Sequence, residues 1–155
     1  MLSHEQRETI KNTIKEFFQK ATIEIEIKED NLEGETLKVN LETESPQLLI
    51  GEQGQTLDEI QYLLRLVFRR KIIEPFFFDL DINGYKQKKT IYLEELAHTT
   101  ANEVSLLKIE KELLPMLAQE RRIIHLTLAS RSDVITESRG EGSERRVVIK
   151  PKPIG

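Results

Sequence analysis

The chain has 155 residues, of which 38% are hydrophobic and 32% charged, with a net charge of −4. That length supports one medium domain or two small ones, and the composition is polar without being that of a disordered chain. It has no Cys, which excludes disulfides and thiol catalysis; with no signal peptide at residues 1–6 and no apolar run near the ~20 residues of a membrane span, a cytoplasmic protein without membrane insertion is expected.

Ser3-His4-Glu5-Gln6 has the form of a capping box, and Ile10, Ile14, Phe17 and Phe18 follow at helical spacing, predicting a helix over residues 4–20. Residues 22–28 alternate, with Ile23, Ile25 and Ile27 on one side, and predict a strand with one wet face. Residues 31–35, with Gly34, read as a turn, and Leu37, Val39 and Leu41 as the second strand of a hairpin. Ser45-Pro46 opens a short helix, Gly51-Glu52-Gln53-Gly54 interrupts it, and Thr56-Leu57-Asp58-Glu59 reads as a second capping box before a helix ending near Lys71. A third strand is expected over 76–82, followed by the turn Asn83-Gly84.

Beyond that turn, residues 85–104 carry a helical pattern and 106–109 a short strand. Pro115 opens a helix running to about His125, which gives way to a strand over 126–129. Residues 134–137 and 145–150 form a hairpin around Gly140-Glu141-Gly142, ended by Pro151 and Pro153. The boundary is expected within 83–89, giving domains 1–83 and 84–155, with a helix running straight on from the joint to stiffen it. Charge divides the same way: residues 1–83 hold 10 Lys+Arg against 17 Asp+Glu, net −7, and residues 84–155 hold 13 against 10, net +3. Screening confines charge effects to roughly 8–10 Å, so a basic face in the second half can bind phosphates despite the acidic total.

The order helix, strand, strand, short helix, Gly-x-x-Gly, helix, strand resembles a type II KH domain over residues 4–82. In KH domains such a loop lets a nucleic-acid backbone approach because no Cβ intervenes, and the next helix offers free N–H groups. The resemblance assigns that surface to Gly51, Gly54, Gln55 and Thr56. Glu52 would repel a phosphate, so a purely structural turn or a protein-contact face stays open beside this reading.

Arg121 and His125 are spaced i, i+4 in Glu120-Arg121-Arg122-Ile123-Ile124-His125, so on a helix they share one face. A planar cation beside a titratable ring suits a small anion such as phosphate. The alternative is structural, with Arg121 in a salt bridge and His125 bonded to backbone. Arg122 faces solvent; Arg145 and Arg146 sit on a strand and point to opposite faces, so one of them can share the surface of Arg121. Lys86, Lys88 and Lys89 open the preceding helix against its dipole, which mildly favours a functional use for Lys86 and Lys89; Arg139 is a further candidate. The Arg-x-x-x-His spacing with arginines on the closing strand resembles the R-three-H domain, a small α/β module that binds single-stranded nucleic acid. The fold class is therefore α+β, a type II KH-like domain followed by an R-three-H domain.

These two modules in this order, with Ile50-Gly51-x-x-Gly54-Gln55-Thr56-Leu57-Asp58, resemble the bacterial Jag family, also called SpoIIIJ-associated, KhpB or EloR. The resemblance implies RNA binding, a link to cell elongation and division, and a small KH-domain protein as partner. Many members carry an additional N-terminal Jag domain; this sequence is expected to lack it, and its functions are not carried over. Expected partners are RNA or single-stranded DNA, with a homodimer left open.

Base readout has little support: aromatics are 6%, Phe76, Phe77 and Phe78 read as core plus one exposed face, and Tyr85 is the best stacking candidate. Binding is expected to be backbone-dominated and salt-sensitive. No cofactor and no catalysis are expected; the only metal-like spacing, Glu94 or Glu95 with His98, lacks a second His. Two other readings stay in view, an interaction adaptor using the acidic half and, remotely, a metal-dependent nuclease at Glu95 and His98.

Overall fold

The computed structural model describes residues 1–153, which divide into two compact units between Lys86 and Gln87. Among the described residues no helix is long and apolar enough to cross a membrane.

The first unit contains α1 (His4–Lys20), β1 (Glu26–Glu33), β2 (Thr36–Glu42), α2 (Pro46–Ile50), a 3-10 turn (Glu52–Gly54), α3 (Gln55–Lys71) and β3 (Phe77–Ile82). The capping box forms as expected, with Gln6 N–H donating to the Ser3 hydroxyl and Ser3 N–H to the Gln6 side chain. β2 is central, antiparallel to β1 and parallel to β3. Ile10, Ile14 and Phe18 of α1 and Leu57, Leu64 and Phe68 of α3 pack with Leu37, Val39 and Leu41 of β2 and Phe78, Leu80 and Ile82 of β3. Each buried side chain of this size contributes about 1.5–3 kcal/mol through the area it removes from water.

The first strand departs from the expected limits. It starts at Glu26 and pairs with β2 through Glu33, so only Gly34-Glu35 turn. A bulge between Ile27 and Glu29 switches the inward parity from Ile27 to Asp30 and Leu32. Asp30 thereby meets Arg7 at 2.6 Å and Lys11 at 3.3 Å, and these cations hold its carboxyl below the ordinary carboxylate range against the opposing effect of burial. Ile23 and Ile25 pack on the core as irregular chain preceding the strand.

The free edge of β3 is covered by side chains. Arg65 Nε and Nη2 donate to the Phe78 carbonyl at 3.0 and 2.7 Å. Leu80 N–H donates to Gln61 Oε1 and Ile82 N–H to Asp81 Oδ1, each at 2.8 Å.

The second unit holds α4 (Tyr85–Leu107), whose first two residues belong to the first unit, then β4 (Lys111–Glu112), α5 (Ala118–Leu128), β5 (Val134–Arg139) and β6 (Arg146–Pro151). The sheet is antiparallel in the order β4-β6-β5. Its core joins Leu93, Ala97, Ala101 and Val104 of α4 to Ile124 and Leu128 of α5 and Val147 and Ile149 of β6. Two expected strands are absent. Residues 106 and 107 close α4, the chain turns at Lys108 with φ +59°, and pairing begins at Lys111. Residues 126–128 complete α5, because burial of Leu128 one turn after Ile124 outweighs the strand preference of the local sequence.

The Gly-x-x-Gly loop also differs from the expected arrangement. Thr56 is not a cap; Gly54 is the N-cap of α3, and Thr56 lies inside the helix. Gly51 has φ +73° and ψ −176°, a region open essentially to glycine alone. A Cβ there would land on the Thr56 side chain, 2.8 Å from its Cβ and 3.0 Å from its backbone nitrogen. Replacing Gly51 by Ala is expected to lower stability by about 1–3 kcal/mol in urea unfolding. Gly34→Ala, with nothing within 4 Å of the added carbon, is expected to cost less.

Candidate nucleic-acid interface

Helix α5 is positioned at its start by Glu120, whose Oε2 accepts the Leu117 N–H at 2.9 Å, and at its end by Leu128 in the core. Between these anchors Ile124 is buried, Arg121 and His125 are half-buried and Arg122 is exposed. The packed residues carry Arg121 and His125 onto the border of the apolar stripe, as their spacing requires.

His125 is held by the sheet. Its Nδ1 shares a hydrogen bond with Thr136 Oγ1 at 2.6 Å, and its Nε2 one with Ser138 Oγ at 2.9 Å. Thr136 pairs with Ile149 and Ser138 with Val147, so both hydroxyls share the sheet face that packs on α5. Burial first, then the charges of Arg121 and Arg145, hold the imidazole below its ordinary pKa. The ring is therefore neutral near pH 7, with both nitrogens engaged. The ring thereby ties α5 to β5.

Arg121 is different. Its Nε and Nη1 are out of contact with water and have no hydrogen-bond partner among the described residues. A buried donor left unpaired costs about 1–3 kcal/mol, and more for a charged group. The expected structural alternative, Arg121 in a salt bridge, does not occur among the described residues.

Strand parity settles which arginine stands near this pair. Arg145, just before β6, has the parity of inward Val147 and Ile149, and its charge acts on His125. Its Nη1 donates to the Gly140 carbonyl at 2.8 Å. Arg146 has the opposite parity and is paired with Glu144 at 3.2 Å and Glu112 at 3.6 Å. Arg139 belongs to that outer network too, with Glu137 at 2.6 Å and Glu110 at 3.0 Å, and does not join Arg121. Lys89 is bonded to Glu120 at 3.0 Å. Lys86 lies in the first unit, bonded to Asp79 at 2.6 Å and Gln61 at 2.8 Å. The structure thus brings together Arg121, His125 and Arg145, and adds Thr136 and Ser138, to which the sequence assigned no role. Thr136 and Ser138 are spaced i, i+2 on a strand, the one signal that they share a face.

In the first unit, Gly51, Gly54, Gln55 and Thr56 do form one loop and helix start, with Glu52 and Gln53 exposed. An added Cβ at either glycine would point toward the protein. At Gly51 that space is taken by Thr56, and at Gly54 by the Tyr85 ring, 3.0 Å from an added Cβ. Tyr85, expected as a stacking platform, is partly buried against this core. Glu94, Glu95 and His98 are exposed on α4, and among the described residues no group of three or more His, Cys, Asp or Glu side chains is arranged to hold a metal.

Comparison with known proteins agrees with this architecture. The KH domain of the KhpA/KhpB family matches residues 7–74, and the R-three-H domain matches residues 92–151. The chain is 34% identical over 152 residues to the RNA-binding protein KhpB of Clostridium symbiosum, covering 94% of this chain and 68% of that protein. It is 34% identical over 119 residues to the RNA-binding protein KhpB of Bacillus subtilis (strain 168), covering 76% of this chain and 57% of that one. A third relative, the RNA-binding protein KhpB of Lactiplantibacillus plantarum, is 32% identical over 111 residues, which is 72% of this chain and 34% of its own length. With a KH unit, an R-three-H unit and a relative that aligns with 94% of this chain and 68% of its own length, the chain belongs to the KhpB family.

Proposed function

We propose that this chain is an RNA-binding protein whose second unit grips the backbone of a single strand. Arg121 is the central phosphate contact, Arg145 and Arg122 add charge, and His125 positions the site. The observation that supports this is the Arg121 guanidinium, with Nε and Nη1 shielded and unpartnered. A phosphate oxygen reaches those donors once the half-buried side chain swings outward, in the charge-assisted geometry at which arginine excels. The relatives named RNA-binding proteins support RNA as the strand. Arg146, Lys86 and Lys89 would have to leave carboxylate partners to take part, so their contribution is secondary.

In the first unit, the Thr56 N–H at the start of α3 offers a further phosphate contact, opposed by exposed Glu52, while the Gln55 N–H is already donated to the Glu52 carbonyl. The match of this unit to the KH domain of KhpA and KhpB supports a small KH-domain protein as a partner. A role in cell elongation or division is carried by the family resemblance, and a cytoplasmic place of action by the sequence composition.

Arg121→Ala is expected to weaken binding of a short single-stranded RNA about tenfold. It should also flatten the plot of log affinity against log salt by roughly 0.7, the slope of one phosphate contact on a single strand. Titration by fluorescence anisotropy at four salt concentrations measures both, and a folded variant with unchanged affinity and slope removes Arg121 from the interface.

The depressed pKa of His125 sets a pH dependence of stability. Below about pH 6.5, the ordinary value, the unfolded chain takes up the proton more readily than the fold does. The contribution is therefore complete above that pH and declines as pH falls below it. Thermal melts at pH 7.5 and pH 5.5 are expected to show a loss for the wild type that His125→Gln reduces. A phosphate bound beside Arg121 and Arg145 counters their effect on the ring, so RNA affinity should rise from pH 7.5 to pH 6 and flatten in the same variant.

A further inference from the structure

At the C-terminal end of α3 the first unit has an open cleft of about 550 Å³. Its apolar walls are Phe68, Ile72, Ile73, Phe76, Phe77 and Phe78. Phe68 and Phe78 are buried and meet edge to face at 4.9 Å, forming the floor. Phe77 and Ile73 are not part of that floor: they are 64% and 98% exposed. The alternation of β3 turns Phe77 away from the core that holds Phe78. An aromatic ring and a branched aliphatic side chain standing in water at a cleft mouth contribute nothing to the fold, and such features mark binding surfaces.

Two arginines flank the same cleft, Arg65 and Arg69, one helical turn apart. Like charges at that spacing cost a few tenths of a kcal/mol, so helix stability does not account for the pair. The dipole at the end of α3 favours Arg69, Arg70 and Lys71, which is the bland explanation for three of the cations. It does not reach Arg65, whose guanidinium is held at the cleft by the Phe78 carbonyl. The other basic residues of this acidic half largely face carboxylates: Arg7 and Lys11 with Asp30, Lys20 with Glu16, Lys28 with Glu26 and Glu42, Lys38 with Glu33. Among the described residues Arg65, Arg69 and Arg70 form no ion pair. Two carboxylates, Glu35 and Glu74, also line the cleft, and Glu74 accepts a hydrogen bond from the Gln6 side chain.

We infer that this cleft is a second nucleotide-binding site for the strand held by the other unit, with Phe77 stacking a base and Arg65 and Arg69 facing its phosphates. The inference rests on the RNA-binding reading above. Exposed aromatics beside unpaired cations are the combination that binds single strands without sequence preference, since every base has a π-face. A purely apolar partner would leave the Arg69 guanidinium without an acceptor, whereas Arg65 keeps the Phe78 carbonyl. The site lies at the opposite end of α3 from the Gly51–Gly54 loop, 17 residues or roughly 25 Å along the helix, so it does not depend on that loop.

The test uses the full chain and a fluorescein-labelled single-stranded RNA 16-mer of mixed sequence, in the wild-type and Arg121→Ala backgrounds. Phe77→Ala is expected to weaken binding about tenfold in both, Phe77→Tyr to retain it, and Arg69→Ala to reduce the salt slope by roughly 0.7. Because Phe77 is exposed, its truncation leaves the core intact, and circular-dichroism melts check this. Affinity unchanged by Phe77→Ala in both backgrounds overturns the inference while leaving the Arg121 reading in place. A loss with Phe77→Ala but none with Arg121→Ala supports the cleft and removes the other site. If Phe77→Ala instead abolishes self-association in light scattering and leaves RNA affinity untouched, the cleft is a protein-contact surface and the inference falls.

Discussion

A guanidinium drawn partly out of water without an acceptor is the constraint around which the second unit is arranged. Arg121 is carried there by the packing of Ile124 and Leu128, which fix the rotation of α5. Its neighbour one turn on, His125, is held neutral and ties α5 to β5 through two hydroxyls. A neutral ring at that place matters: a second full charge beside Arg121 and Arg145 would raise the electrostatic cost of the empty site.

The two faces of the second sheet divide the cations between two tasks. On the outer face Arg139, Arg146 and Lys150 are matched with Glu110, Glu112, Glu137 and Glu144. Such exposed pairs contribute about 0–1 kcal/mol each and leave little positive field. On the inner side, among the described residues, Arg121 and Arg145 form no ion pair with a carboxylate.

The helices, the order of elements and the pairing of Arg121 with His125 were legible because each is written in short-range periodicity. Parity also announced that Arg145 and Arg146 diverge, but which of them faces α5 depended on the packing of Val147 and Ile149. The limits of β1 were hidden because a bulge resets its alternation after Ile27. The end of α5 was hidden because a helix completed by one distant core contact at Leu128 looks locally like a strand. At the Gly-x-x-Gly loop the glycines were visible, but the packing that requires them was not. The space they vacate is filled by Thr56 and Tyr85, contacts no spacing rule announces. The engagement of both His125 nitrogens had one trace in the sequence, the alternation of Thr136 and Ser138.

The row of Arg65, Gln61 and Asp81 along β3 has a bearing on how this protein behaves at high concentration. Outer strands normally offer bare amide and carbonyl groups that recruit further strands. Here the Phe78 carbonyl and the Leu80 and Ile82 N–H groups are already occupied from within the chain. An invading segment would have to displace Arg65, Gln61 and Asp81 to gain those three ladder bonds, so lengthening of this sheet is disfavoured at that flank.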